Sequence, residues 1–231
     1  STNATINMTD SDITTKTVAP IEANTSAGNN NTITFTGTCK LDSVAEVYKT
    51  APVRGYDAKV GNKVYKTFGN ALSNATAGAT VELLQNVTDG WRNITKSVTI
   101  DGKGYTLSSN NGSDSDKHTF VIKENATEVT FKNMDIVQKR RGFLFRTDIA
   151  TTLTLEKVDI DATQAPTSTE QALFYLQGKD VTTNLICNQV TVDMDATTAG
   201  TDENSAVICT GKAESKNVNI TLTKCNFNTE G

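Results

Sequence analysis

Asp135 and Asp159 stand at matching places in two near copies of one short pattern, VTFKNMDI from Val129 and LTLEKVDI from Leu153. Asp161 and Asp193 recur in the same way, with Asp195 close by. If the copies lie one above another at about 4.8 Å, these carboxylates make outward columns. Carboxylate oxygens in such a column suit Ca²⁺, for which Asp161, Asp193 and Asp195 are weak candidates. Carboxyls roughly 5 to 9 Å apart also suit cleavage of a glycosidic bond, although outward strands offer no visible pocket. Two bare charges at that spacing repel by only about 1 kcal/mol in water, so a solvated face needs neither metal nor substrate. The one basic cluster is Lys139, Arg140, Arg141 and Arg146. A glycan or partner protein held on this face would meet those four residues together with Asp135, Asp159 and Asp161, and no residue is assigned a catalytic role.

The element that positions these residues is the pattern Φ-x-Φ-x-x-Φ-x-Φ, with Φ apolar. It reads Val129, Phe131, Met134, Ile136, then Leu153, Leu155, Val158, Ile160, then Leu185, Cys187, Val190, Val192, then Ile220, Leu222, Cys225, Phe227. A looser first copy, Val98, Ile100, Tyr105, Leu107, contains the longer corner DGKG. Each copy is two strands of period 2 joined by a two-residue corner that keeps both apolar sets facing one side. A third apolar strand lies between copies: HTFVI to Ile122, GFLF to Phe145, ALFYL to Leu176 and AVIC to Cys209. Three strands in every 24 to 35 residues predict an all-β fold, a parallel β-helix (solenoid) of about five or more rungs. Val98, Val129, Leu153, Leu185 and Ile220 should form one inward column, and Ile100, Phe131, Leu155, Cys187 and Leu222 another. Thr99, Thr130, Thr154 and Thr221, interrupted by Ile186, should line an outward face, with Lys132 stacked on Glu156.

The repeats occupy a domain over 53–231 that opens with a cap at 56–87. In the cap, strands at 58–60 and 63–65 flank a Gly61-Asn62 turn, Thr67 caps a helix bearing Phe68, Ala71, Leu72 and Ala75, and a strand at 81–84 launches the stack. Residues 1–52 are rich in Thr and Asn with one clear strand, Thr32 to Thr36, and read as a linker, an extra rung or a pairing segment. The last copy runs out at Phe227, so an open end covered by further chain or by another subunit is expected there.

The Gly-Asn hairpin, Tyr-x-Thr-Phe, the Ala-Leu helix and the Gly-Ala-Thr-Val-x-Leu-Leu launch, followed by rungs of the VTFKNMDI type, resemble pectin-lyase-like right-handed parallel β-helix domains of microbial cell-surface proteins. The resemblance covers 56–231 and implies a fold shared by lyases, hydrolases, adhesins and structural proteins. Pectin-degrading hydrolases of this kind carry Asn-x-Asp, Asp-Asp, Gly-His-Gly and Arg-x-Lys in successive rungs. That succession does not occur, and the single His118 sits in KHTF. The lyases use a Ca²⁺-binding carboxylate cluster beside an Arg or Lys base, and the cluster at Lys139 to Arg146 lacks their proline spacing.

A net charge of −4 over 231 residues gives no basic footprint for nucleic acid, and no apolar run approaches a transmembrane segment. The chain starts at Ser1 without a signal-like region and reads as a mature product or an excised fragment. Asn-x-Ser/Thr sites at Asn3, Asn7, Asn24, Asn30, Asn74, Asn86, Asn93, Asn111, Asn125 and Asn219 fit an N-glycosylated, extracellular surface, or turns that recur in such a fold. Cys39, Cys187, Cys209 and Cys225 contain no CxxC, and Cys187 and Cys225 are placed for a disulfide or as buried thiols. The expected function is a non-catalytic surface adhesin or ligand-presenting stalk that binds glycan or protein without a cofactor, Ca²⁺ excepted. The alternatives are self-assembly with copies of itself into a layer or sheath, and a lyase or glycoside hydrolase acting on acidic polysaccharide.

Overall fold

The computed structural model describes residues 5–9, 12–15, 21–22, 32–36, 40–43, 53–110, 118–139, 142–163, 172–176, 182–195, 206–210 and 217–230. Among them the protein is all-β apart from one short helix. Its first strands are β1 (Thr5–Thr9), β2 (Asp12–Thr15), β3 (Ile21–Glu22), β4 (Thr32–Thr36), β5 (Lys40–Ser43) and β6 (Val53–Arg54). They pair in parallel, β1 with β4, β2 with β5 and β3 with β6, so this segment holds more strand than Thr32 to Thr36 alone.

A hairpin and helix follow: β7 (Ala58–Val60), β8 (Lys63–Tyr65) and α1 (Phe68–Asn74). The hairpin turns at Gly61, whose φ of 56° an L side chain rarely adopts. Thr67 Oγ1 accepts the Asn70 N–H at 3.1 Å and starts the helix, which buries Phe68, Ala71 and Leu72. β8 pairs antiparallel with β4, and β7 pairs antiparallel with β9 (Ala79–Leu83), so the launching strand begins two residues earlier than the apolar run suggests.

The remaining strands are β10 (Val87–Asp89), β11 (Arg92–Asp101), β12 (Thr106–Ser109), β13 (Phe120–Val137), β14 (Phe145–Thr147), β15 (Thr152–Asp161), β16 (Ala172–Leu176), β17 (Thr182–Asp195), β18 (Ala206–Cys209), β19 (Asn217–Thr223) and β20 (Asn226–Glu230). All pair in parallel, and the registers fall into three sets. In the first, Val81, Ile100, Phe131, Leu155, Cys187 and Leu222 are successive partners, as are Ala79, Val98, Val129, Leu153, Leu185 and Ile220. In the second, Val87, Leu107, Ile136, Ile160, Val192 and Phe227 align. In the third, Phe120, Phe145, Phe174 and Ile208 align. The third strand expected to end at Phe145 instead runs from Phe145 to Thr147.

The three sets enclose one core. Phe120 stacks on Phe145 and Phe145 on Phe174 at 5.5 Å between centroids, while Phe131 from the first set meets Phe120 at 5.0 Å and Phe145 at 4.9 Å. Phe131, Phe145, Leu153, Leu155 and Leu185 are fully buried. Ile220 and Leu222, the last described members of their columns, are 43% and 47% exposed because nothing described stacks on them.

Each two-residue corner depends on one left-handed residue: Asn133, Lys157, Gln189 and Lys224 have φ of 52°, 54°, 56° and 53°. A side chain there costs roughly 1–2 kcal/mol, and only Asn133 is of a type that tolerates it well. The longer first corner solves a different problem. A Cβ on Gly102 would collide with the Met134 side chain and come within 2.8 Å of the Asn133 carbonyl oxygen. Beside it the Asp101 carboxylate accepts the Lys103 N–H at 3.0 Å and Asn133 Nδ2 at 3.2 Å. Lys132 is in register with Glu156, but its ammonium lies 3.7 Å from Asp101 instead.

Replacing Lys157 or Gln189 by Gly should raise unfolding free energy by about 0.5–1 kcal/mol, the relieved strain exceeding the entropy of the added glycine. Lys157→Val should lower it by about 1–2 kcal/mol, and Gly102→Ala by about 1–3 kcal/mol, all read from urea unfolding midpoints.

Candidate functional site

Along the second set, residues between the buried Leu107, Ile136, Ile160 and Val192 face outward by strand alternation. Thr106, Asp135, Asp159 and Thr191 form one outward column, and Val137, Asp161, Asp193 and Asn228 the next. The face is not flat, as the sequence suggested. It frames an open groove of about 410 Å³ lined by Thr106, Asp135, Val137, Asp159, Asp161, Thr191 and Asp193, with Ile136 and Ile160 in its floor.

Within the groove the carboxylates differ. Asp161 Oδ1 accepts the Thr163 N–H at 2.9 Å and the Thr163 hydroxyl at 2.6 Å, and Asp193 Oδ1 accepts Asn228 Nδ2 at 3.3 Å. Among the described residues none donates a hydrogen bond to Asp135 or Asp159, both of which are exposed. Asp161 and Asp193 are strand neighbours, but among the described residues no three His, Cys, Asp or Glu gather as a metal ion requires. The Asp195 side chain lies outside the described residues.

Of the cationic residues, neither Lys139 nor Arg146 lines this groove. The chain turns a corner after Val137, so Arg146 lies in β14 of the third set, not in the solvated turn that its neighbours in sequence suggest. Its Nε donates to Asp148 at 2.7 Å and its Nη1 is 3.1 Å from His118 Nε2. His118 stacks on Phe143 at 4.6 Å and Phe143 on Tyr175 at 4.2 Å, a small cluster with Ala172 and Cys209 separate from the main core. Lys139 follows the second set directly, its backbone N–H donating to Ser109 Oγ at 2.7 Å. Arg140 and Arg141 lie outside the described residues.

Nothing in the repeat marks the polar groups between cap and first level. Asp57 accepts Gln85 Nε2 at 2.9 Å and the Phe68 N–H at 3.1 Å. Burial pushes its carboxyl above the usual carboxylate range, with Asp89 adding repulsion, while those two hydrogen bonds oppose the rise. Asp89 pairs with Arg92. Asp57 and Gln85 lie far apart in sequence, and only the pairing of strands brings them together.

Of the glycosylation candidates, Asn74, Asn86, Asn125 and Asn219 are exposed and Asn93 is half-buried. Asn86 Oδ1 accepts the Thr106 N–H at 3.0 Å, and Asn219 Nδ2 donates to Asn184. Asn7 lies in β1, and Asn3, Asn24, Asn30 and Asn111 lie outside the described residues. Cys187, Cys209 and Cys225 form no disulfide among the described residues, and Cys225 Sγ donates to the Cys187 carbonyl at 3.4 Å; Cys39 lies outside the described residues. Among the described residues no helix is long and apolar enough to cross a membrane. No family model, curated protein or solved structure matches the chain.

Burial, and secondarily Cys225, pushes the Cys187 thiol up from 9.0 to about 12. The unfolded chain therefore loses this proton first as pH rises, and stability should fall between pH 9 and about 12. The fall should be shallower in Cys187→Ala, and iodoacetamide at pH 8 should label Cys187 only after unfolding.

Proposed function

We propose that this chain is a non-catalytic, pectin-lyase-like right-handed parallel β-helix from a microbial cell-surface protein, and that it binds a glycan along the outward face of its second strand set. Three parallel strand sets around one core support the solenoid, and the strong preference of parallel crossovers for the right hand supports its sense. The groove that crosses successive levels at Asp135, Asp159, Asp161 and Asp193 carries the functional reading. Carboxylates accept hydrogen bonds from sugar hydroxyls, and the hydroxyls of Thr106 and Thr191 can donate or accept. Asp135 and Asp159 await a donor from outside the protein, whereas hydrolysis of a glycosidic bond needs carboxyls on both sides of it. Here the pairs are neighbours on one face.

On a glycan array the protein should be retained, and the double change Asp135→Asn, Asp159→Asn should weaken retention at least about tenfold, the loss of two charge-assisted hydrogen bonds. Undiminished retention in that variant excludes the groove. No product should be released from pectin or glycosaminoglycans with or without Ca²⁺, and any release would restore the lyase or hydrolase alternative. Exposure of Ile220 and Leu222 favours a second reading, self-assembly into a layer, which a purely monomeric sedimentation profile would eliminate.

A further inference from the structure

The first half of β11 is paired on one side only. Arg92 to Ile94 pair with Phe120 to Ile122 of β13, whereas β9 joins the other side from Val98 onward. Among the described residues no strand covers the cap side of 92–97. Two hydrogen bonds fix which residues look that way. Arg92 N–H donates to the Thr119 carbonyl at 2.8 Å, toward β13, and the Ser97 carbonyl accepts the Gly78 N–H at 2.7 Å, toward the cap. Consecutive residues of a strand address opposite neighbours, so Asn93, Thr95 and Ser97 all turn their backbone N–H and C=O groups to the cap side. Among the described residues only Ser97 of these three meets a backbone partner there.

The cap helix faces this edge across a cavity of about 280 Å³, lined by Leu72 and Ser73 of α1 and by β11 from Asn93 to Lys96, with Val98. Two cations span the gap. Lys96 Nζ donates to the carbonyls of Ser73 at 3.3 Å and Ala75 at 3.0 Å, at the C-terminal end of the helix. Arg92 lies so close to the first helical turn that a Cβ on Gly69 would come within 2.6 Å of its guanidinium. The width of the gap is thus set in advance, which lowers the ordering lost when a ligand enters. The lining says what fits. Two residues of strand edge, each offering one donor and one acceptor, call for an extended backbone, which repeats both at the spacing of the strand itself. Leu72, Ile94 and Val98 supply apolar wall and favour an apolar side chain. Lys96 has no carboxylate partner among the described residues, and its ammonium keeps a third proton beyond those given to the two carbonyls. An acidic side chain two places from the apolar one lies on the same face of an extended ligand and suits that proton.

We infer that the cap-side edge of β11 at Asn93 and Thr95 docks an extended segment of a partner protein, one that carries an apolar residue with an acid two places from it. The site shares no residue with the acidic groove and stands or falls independently of the glycan reading. Immobilised octapeptides of Thr and Ser containing one Val-x-Asp or Asp-x-Val unit should retain the protein, and versions with Lys in place of the acid should retain it at least about threefold less. N-methylation of alternate residues removes backbone donors and leaves side chains in place. It should abolish retention when it falls on the residues that face β11 and cost far less in the other phase. Asn93→Pro deletes one cavity-facing N–H and no bond to β13, and should lower affinity for a fluorescein-labelled Val-x-Asp octapeptide about three- to tenfold by polarisation. The melting temperature of that variant should move by less than about 4 °C, and if it fails to fold, the methylated peptides decide on the unaltered protein. No retention of any octapeptide, equal retention of the two methylation phases, or full affinity in a folded Asn93→Pro overturns the site. A dimer in sedimentation that Asn93→Pro dissociates overturns the partner, because a second copy of the chain would then be the occupant.

Discussion

Everything in this protein depends on in-register stacking of parallel strands. A strand of the first set buries two side chains inward, too few to stand alone, and becomes stable only when the strands above and below cover them. Leu155 is sealed by Phe131 on one side and Cys187 on the other, and Phe131 in turn lies between Ile100 and Leu155. A slip of one residue would turn Leu153 and Leu155 to solvent and bring Thr154 and Glu156 inside, so the register is strongly specified. The phenylalanines of the third set add to this, since Phe120, Phe145 and Phe174 stack along the axis while Phe131 crosses the interior to meet them.

The same alternation that builds the core distributes the chemistry. Because Ile136 and Ile160 must point inward, Asp135 and Asp159 must point outward, and stacking places one carboxylate over the next. Their repulsion is tolerated because water screens it. Where the chain turns, cations and anions that adjoin in sequence part company: Asp135 stays with the second set, whereas Arg146 turns to Asp148 and His118. Asp135 and Arg146, read from sequence as parts of one patch, therefore lie in two environments, one acidic and open, the other beside an aromatic stack.

Much of the all-β pairing was legible because period-2 alternation broken by a two-residue corner fixes which residues of successive copies fall in register. The inward columns, the capping by Thr67 and the hairpin at Gly61 were all readable from residue type and spacing. The corner conformation was not, because Lys157 and Gln189 carry no mark of a left-handed backbone; it is imposed by stacking on Asn133, against local preference. The parallel pairing of β1 with β4 was hidden by the scarcity of apolar residues there, although Ile6 and Ile33, and Met8 and Phe35, do fall in register. The groove was not legible either, because concavity depends on how neighbouring strands meet, and alternation predicts only which way a residue faces. His118 and Arg146, or Asp57 and Gln85, are contacts 28 residues apart whose offset depends on loop length.

Repetition also sets how outward residues of this chain are arranged. In a globular domain an outward residue has neighbours set by the whole fold, whereas here its neighbours are the matching residues one level away. Loop lengths vary between levels, yet the registers of β13 with β15, β15 with β17 and β17 with β19 do not drift, and only β11 shifts against β13, between Ile94 and Val98. A change at one outward position therefore alters one site in a column and leaves the core beneath untouched. Thr191 above Asp159, and Ile186 above Thr154, show such changes already tolerated. Corner and inward positions have no comparable freedom, because Gly102 must clear Met134 and Phe131 must fit between two other rings. Core and surface positions thus fall on alternate residues of the same strand, and that separation lets an acidic groove arise on strands whose intervening residues are committed to the interior.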